Sequence, residues 1–204
     1  MALSLLLLVG AGLFLRSLGR ATTLDKGFES DHLALATMDP GLQGYEPAGT
    51  RAVYDAVLER VRALPGVRAA ALADMVPLGM GSHQNGVSIP GYEPAEGERM
   101  AIDYNVVDVG YFEAMGIPVL DGRPFAERDD EDGRPVLIVN ERFARRFWPG
   151  ESAVGKTVRA WGEEREVVGI VPTGKYNRLS EEPLAFMYLP YGQGFRHAMT
   201  LHVR

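Results

Sequence analysis

A strand–helix–strand pattern in the first third of the chain constrains its fold most strongly. The apolar run 33–38 ends at an Asp-Pro-Gly turn, and apolar positions between Pro47 and Leu64 then recur every three or four residues. Pro65-Gly66 ends this helical pattern, and residues 67–75 predict a second strand. Short turns join the three elements, which is typical of a βαβ unit. Such a unit cannot bury its own apolar faces, so further strands must pack beside it.

The region after this unit predicts short strands separated by turns. The 24 glycines and 13 prolines of the chain favour many turns over a helical bundle. A short helix is predicted over residues 109–115 with Asp108 as its cap, and a longer one from Glu141 to about Trp148 with Asn140 as its cap. A hairpin is predicted with its turn over residues 162–165. The predicted strands here are residues 86–89, 101–107, 136–139, 157–161, 166–171 and 186–189.

An apolar segment occupies the start of the chain. Residues 2–15 are almost entirely apolar, and Arg16 and Arg20 follow. A helix of this length covers about 21 Å, short of the roughly 30 Å hydrocarbon core of a bilayer. No basic residue precedes the segment, although a secretory signal peptide normally carries one there. The sequence therefore favours a truncated transmembrane helix over residues 1–20, with a cleaved signal segment as the alternative.

Composition excludes several functional classes. The chain has 21 Lys and Arg against 27 Asp and Glu, a net charge of −6, so we expect no nucleic-acid partner. The absence of cysteine excludes disulfides, thiolate nucleophiles and cysteine metal sites. The four histidines lack a metal-binding spacing, and no G-x-S-x-G motif is present. We therefore predict no catalytic, cofactor-binding or metal-ligating residue, no cofactor and no enzymatic activity.

Residues 150–157 match the phosphate-loop pattern G-x-x-x-x-G-K-[ST] in full. That motif binds phosphate because a strand leads into the loop and a helix begins at its Lys-Thr end. The flanking pattern here is the reverse, with a predicted helix before the motif and a predicted strand after it. The sequence therefore predicts a structural turn that does not bind nucleotide.

The acidic run over residues 127–133 invites comparison with a calcium-binding loop. Aligning Gly133 with the invariant glycine of an EF-hand places Arg128 at the first ligand position and Val139 at the last, where carboxylates are required. The interpretation favoured by the sequence is therefore a solvated loop, partly neutralised by its flanking arginines.

A series of short phrases runs along the full length of the chain in a particular order and spacing. They are residues 2–4, 13–18, 27–28, 64–67, 77–78, 107–112, 115–118, 122–123, 139–141, 145–150, 154–156 and 188–190. In this order they resemble the extracytoplasmic domain of MacB-like ABC transporter permeases, in particular the duplicated permeases common in acidobacterial genomes.

The resemblance implies an α+β fold in two subdomains. One is a porter-like subdomain, half of a ferredoxin-like fold, whose first βαβ unit covers residues 31–77. A mixed, strand-rich insertion follows over residues 78–195. Residues 196–204 then supply the first strand of a second βαβ unit that the chain does not complete, and residues 1–20 are the truncated transmembrane helix. We therefore expect the chain to be a piece of a larger polypeptide.

The resemblance also implies a function and partners. The chain would be a non-catalytic domain that couples ATP-driven motion to export or to other extracytoplasmic work. Its partners would be the remainder of the same permease, a cytoplasmic ABC ATPase domain or subunit and membrane lipid, with a permease dimer and a periplasmic adaptor as further candidates. It would lie in the bacterial inner membrane, with residues from about 24 onward outside the cytoplasm. The alternative function is that of a secreted or tethered periplasmic binding module.

Overall fold

A computed structural model describes residues 26–79 and 81–204, together with residues 7, 10–12, 14 and 16. Most of the predicted transmembrane helix over residues 1–20 lies outside the described residues. Within the described part of the chain, no helix is long and apolar enough to cross a membrane.

The structure is strand-rich, with ten strands and three α-helices in the described residues from 26 to 204. The strands are β1 (Ala34–Met38), β2 (Ala70–Ala73), β3 (His83–Ser88), β4 (Ala101–Val107), β5 (Asp121–Gly122), β6 (Val136–Asn140), β7 (Thr157–Ala160), β8 (Glu163–Val171), β9 (Phe186–Pro190) and β10 (Met199–Val203). The helices are α1 (Pro47–Arg62), α2 (Tyr111–Ala114) and α3 (Glu141–Phe147), and a 3-10 turn covers Pro40–Gln43.

The predicted strand–helix–strand segment supplies two strands of a small three-stranded sheet and the helix that covers it. Its two strands are not neighbours, because β10 lies between β1 and β2 and pairs antiparallel with both. Helix α1 covers one face of this sheet and buries Tyr54 and Leu58 against it. We call this unit, made of β1, β10, β2 and α1, the small sheet. The strand predicted near the end of the chain therefore supplies the partner that the βαβ unit requires.

Helix α1 begins and ends where its local sequence favours it. Pro47 occupies the first turn, where its missing N–H costs nothing, and Arg60 and Arg62 lie in the last turn beside the negative end of the helix. The helix ends at Arg62 rather than at Leu64 as predicted, and Gly66 then adopts a φ of 89°. The buried Tyr54 hydroxyl accepts a hydrogen bond from the Met199 N–H at 3.0 Å, which ties the helix to β10.

Leu58→Ala is expected to lower the free energy of unfolding by about 2–3 kcal/mol, because it opens a cavity between α1 and the small sheet. Leu58 is buried there against apolar residues of β2 and β10. Urea denaturation measures the change, and Glu59→Ala, at the neighbouring exposed position, is the matched control. Equal stabilities for the two variants would contradict the packing of this helix face.

Six further strands form a closed ring of hydrogen-bonded pairs. The order is β4–β3–β7–β8–β6–β9, and β9 pairs parallel with β4 to close the ring. One apolar cluster contains residues from all six strands, so it fills the interior of the ring. It comprises Val87, Ile89, Ile102, Tyr104, Val106, Leu137, Val139, Phe143, Ala144, Phe147, Ala153, Val158, Ala160, Val167, Ile170, Met187 and Leu189. We call this unit the six-stranded ring.

Helix α3 is part of this interior packing. Its Asn140 cap is confirmed, since the Asn140 Oδ1 accepts the Phe143 N–H at 2.9 Å. Phe143 and Phe147 lie one turn apart on α3 and are buried in the apolar cluster inside the six-stranded ring. The opposite face of β6 and β9 packs against α2 in a second cluster that includes Tyr111 and Phe112.

Two local predictions are wrong. The hairpin turn lies at Trp161-Gly162, whose φ angles of 52° and 81° match a two-residue turn between twisted strands, and residues 163–165 belong to β8. The polar Glu-Glu-Arg run had indicated a turn, but its glutamates are exposed on a paired strand. The short helix α2 covers Tyr111–Ala114 rather than residues 109–115, and its cap residue is Gly110 rather than Asp108, whose carboxylate accepts the Gly110 N–H at 3.0 Å in the turn before the helix.

Candidate functional site

The small sheet and the six-stranded ring meet where β2 pairs with β4, and an apolar cluster that includes Ala71 and Ala73 of β2 and Tyr188 of β9 also joins the two units. Only Ala73 and Val107 are paired in register there. Two further backbone bonds extend the contact: the Asp74 N–H donates to Val106 O at 2.8 Å and the Asp108 N–H donates to Leu72 O at 2.9 Å. We refer to this junction as the seam.

Ion pairs reinforce the seam on both sides. Arg51 of α1 binds the Glu131 carboxylate of the ring at 2.9 Å and lies over the rings of Tyr191 and Phe195. On the other side, Asp74 accepts from Arg196 at 3.0 Å and lies 3.2 Å from the His83 imidazole. These contacts join residues from separate segments of the chain, and no sequence motif predicts them. They are candidate functional residues that the sequence patterns did not indicate.

A cavity of about 210 Å³ lies beside the seam. It is lined mainly by charged side chains of α1, by Asp108 and by the loop 126–130. Arg62 spans this region, because its guanidinium donates to Ala70 O and lies 3.6 Å from the Asp108 carboxylate.

Asp108 is the most perturbed acid described in the chain. Burial raises the pKa of Asp108 to about 7, although Arg62 and the Gly110 N–H act to lower it. Its Oδ1 accepts the Gly110 N–H, whereas its buried Oδ2 has no hydrogen-bond partner. With a pKa raised to about 7, this carboxyl group lies beside Arg62 at the end of α1.

The segment that matches the phosphate-loop pattern has the flanking elements that the sequence predicted. Helix α3 ends at Phe147 before it, and β7 begins at Thr157 within it. Gly150 and Gly155 have φ values of 81° and 79°, which glycine adopts without strain. The Lys156 ammonium binds the Glu151 carboxylate at 2.7 Å. Within residues 26–204 the loop is preceded by the end of a helix and followed by a strand, so the motif's anion-binding geometry, in which a helix begins at the Lys-Thr end, is not formed there.

We predict that this segment does not bind nucleotide. Calorimetric titration of the chain with Mg-ATP is expected to give no saturable heat, and Lys156→Ala is expected to leave the trace unchanged. Micromolar binding that Lys156→Ala abolishes would contradict the prediction.

The acidic run is a loop stabilised by its own arginine and backbone contacts. Asp129 is buried and forms a two-point contact with Arg123 at 2.6 and 2.8 Å. Burial acts to raise the pKa of Asp129, but the Arg123 and Ala126 hydrogen bonds outweigh it and hold the pKa below its ordinary value. Asp130 accepts backbone N–H groups within the same loop. Among the residues that the structure describes, no three potential ligands cluster around a common metal position.

The histidines are dispersed through the described structure. His202 is fully buried in β10, and burial lowers its pKa. His197 lies 3.1 Å from the Thr50 hydroxyl, His83 contacts Asp74, and His32 is exposed. Each lies in a different local environment, so they form no common site.

Comparison with known proteins identifies the architecture. The sequence matches the family model of the MacB-like periplasmic core domain over residues 1–204. The chain belongs to this family. The periplasmic region of MacB from Actinobacillus actinomycetemcomitans is 13% identical, with 91% of this chain and 79% of that chain covered and a TM-score of 0.55.

A second similar structure is the extracellular domain of the noncanonic ABC-type transporter YknZ from Gram-positive bacteria. It is 21% identical, with 72% of this chain and 70% of that chain covered and a TM-score of 0.49. No curated protein matches the sequence. The predicted α+β fold class and the resemblance to MacB-like permeases are thus confirmed. As a MacB-like periplasmic core domain, the chain is a transporter component of an ABC permease.

Proposed function

We propose that this MacB-like periplasmic core domain has no catalytic role of its own and passes motion between the membrane and the periplasm. A cytoplasmic ABC domain or subunit would hydrolyse ATP, and the domain would couple that motion to export or to other work outside the cytoplasm. The observation that supports this proposal is the seam, where two units share a single register pair of strands, a few ion pairs, two hydrogen bonds between Asn105 and Met75, and one apolar cluster.

The packing of the two units is compatible with their movement as bodies. Each unit has its own apolar cluster, so neither must unfold when the seam opens. Ion pairs with partly exposed members, such as Arg51 with Glu131, stabilise a contact by only about 0–1 kcal/mol. A rotation about β2 and β4 would exchange these polar contacts and also shift Ala71 and Ala73 within the apolar cluster that they share with the ring, while the other two clusters stay intact.

A cross-link across the seam tests the coupling. Arg51→Cys and Glu131→Cys would be joined by a short bismaleimide in the full-length permease, free of other cysteines and assembled with its ATPase in nanodiscs. We expect the cross-link to lower the ATPase rate several-fold. The control joins Glu151→Cys to Lys156→Cys, which contact each other within one loop of the ring. An unchanged rate with the seam locked would reject the coupling role.

The domain boundaries are part of the proposal. Residues 1–20 would be the end of a transmembrane helix, residues 31–77 the first βαβ unit, residues 78–195 the insertion and residues 196–204 the first strand of a second unit. Supporting this, β1 pairs only with β10 among the described residues, and Leu35 in it is 47% exposed. An exposed strand edge of this kind readily accepts another strand.

We predict that extension at the C-terminus stabilises the domain. A chain that continues through the next helix and strand of the natural protein should melt at a higher temperature and associate less than residues 1–204, because further apolar surface is covered. Thermal melts and size-exclusion profiles in matched detergent measure both. Equal melting temperatures and monomers in both samples would show that the proposed second unit neither stabilises the domain nor reduces its association.

The proposed setting is the bacterial inner membrane, with residues from about 24 onward outside the cytoplasm. The partners would be the rest of the permease, its ATPase and membrane lipid, and a permease dimer or a periplasmic adaptor would complete the assembly. The alternative, a secreted or tethered binding module, is not favoured because the family is one of permease domains.

A further inference from the structure

We propose that a basic cleft beside Lys26 binds anionic phospholipid headgroups at the membrane surface. The cleft has a volume of about 260 Å³. Its lining contains three cationic side chains and no carboxylate, and consists of Arg142, Arg145, Thr173, Gly174, Lys175 and Pro183. The inference rests on the proposed function, in which the residues before Lys26 enter the membrane.

The fold holds this cleft in a fixed shape. Arg142 and Arg145 are exposed on the outer side of α3, one turn apart, while the opposite side is buried in the ring. The Thr173 hydroxyl accepts the Arg142 N–H at 3.0 Å, which ties the segment after β8 to the first turn of α3. The Lys175 ammonium donates to the Glu181 carbonyl, so it is held beside the cleft rather than extended into solvent.

Three nearby acids, Glu141, Glu181 and the exposed Glu182 next to Pro183, compensate the charges of Arg142, Arg145, Lys175 and Arg178 only in part. Glu141 pairs with Arg145 at 2.9 Å. The Glu181 carboxylate is directed at its own loop, where it accepts the backbone N–H groups of Tyr176, Asn177 and Arg178. The Arg142 guanidinium has no charged partner among the described residues. In a chain of net charge −6, this cleft is therefore a local basic region suited to a phosphate group.

The same loop presents an apolar side chain next to a cation. Arg178 is exposed, and Leu179 beside it is 36% exposed. A basic side chain next to an exposed apolar one is typical of a surface that lies at a lipid headgroup layer, where the cation meets phosphate and the apolar group meets acyl chains. This pairing favours a lipid surface over a free phosphate ion as the ligand.

The position of Lys26 places the cleft near the proposed membrane surface. The Lys175 N–H donates to Lys26 O at 2.9 Å, and Gly27 packs so closely on Gly174 that an added Cβ would lie 2.5 Å from its Cα. The proposed transmembrane segment ends at residue 20, and the six steps to Lys26 reach at most about 20 Å. A bilayer that holds the segment therefore lies within reach of the cleft.

Vesicle co-sedimentation of the full chain tests the proposal. Binding is compared between vesicles of phosphatidylcholine alone and vesicles that also contain phosphatidylglycerol. We expect preference for the anionic vesicles, weakened in the triple variant Arg142→Gln, Arg145→Gln, Arg178→Gln. A basic residue at an anionic surface contributes about 1 kcal/mol, which corresponds to a loss of about fivefold in partitioning for each residue replaced. The matched control replaces the exposed Arg60, Arg68 and Arg159 by glutamine.

The outcomes separate this inference from the proposed function. Equal losses in the triple variant and its control would overturn the proposal, because the effect would then be one of total charge. A second contrary result would be calorimetric binding of inorganic phosphate that depends on the same three arginines, together with no preference for anionic vesicles. That result would assign the cleft to a free anion and would also overturn the proposal. Failure to bind neutral vesicles would count only against the proposed membrane anchor at residues 1–20. The cleft would still be tested, because its binding is measured as the dependence on phosphatidylglycerol.

Discussion

Asn140→Ala is expected to lower the free energy of unfolding by about 4 kcal/mol. The Asn140 side chain is fully buried between α3 and β9 and makes four hydrogen bonds. Its Oδ1 accepts the N–H groups of Phe143 and Phe186, and its Nδ2 donates to the Tyr176 hydroxyl and to Leu184 O. Each buried group that loses its partner costs about 1–3 kcal/mol, and the lost helix cap is included in that sum.

Guanidinium denaturation of the wild-type and variant proteins measures this change. Asn85→Ala is the matched control, because Asn85 is half-buried and its side chain accepts one long bond, from the Trp161 N–H at 3.3 Å. We expect that control to cost no more than about 1 kcal/mol. If Asn140→Ala costs no more than Asn85→Ala, the buried network around Asn140 does not hold α3 to β9.

The stability of the domain is expected to fall relative to that of Asp108→Asn as pH rises from about 4 to 7. The pKa of Asp108 is raised from 3.8 to about 7 in the folded state, chiefly by burial. Between these values the folded protein keeps a proton that the unfolded chain has released. Titration of Asp108 therefore lowers the free energy of unfolding by about 1.4 kcal/mol per pH unit in this range. The total decrease across the range approaches about 4 kcal/mol.

Urea denaturation of wild type and Asp108→Asn across this pH range tests the prediction. Only the difference between the two proteins is compared, because other acids titrate in both. Asp103→Asn, on the neighbouring strand β4 and bonded to Gln84 at the surface, is the control and should follow the wild type. A constant difference between wild type and Asp108→Asn would show that Asp108 is ionised throughout. A falling difference would support a seam that loosens as its carboxylate gains charge.

Local sequence patterns predicted the elements that local physics controls. The three- and four-residue spacing along α1 indicated its buried face, and Tyr54 and Leu58 are buried there. Asn140 was predicted as a cap because a short polar side chain before an apolar helix satisfies the first free N–H groups. Residues 150–157 match the phosphate-loop pattern, but the predicted helix before them and strand after them were enough to indicate a structural turn. These inferences depend on neighbours within a few residues.

Tertiary structure alone decided which strands pair and which charges meet. The insertion of β10 between β1 and β2 joins residues more than 120 positions apart, and the closure of the ring joins β4 to β9 over about 80. No local pattern carries that information, because strand pairing is selected by burial over the whole chain. The raised pKa of Asp108 and the contact of Arg51 with Glu131 likewise arise only where the two units meet. Desolvation and charge pairing are properties of the assembled fold, so they appear only once these distant segments are brought together.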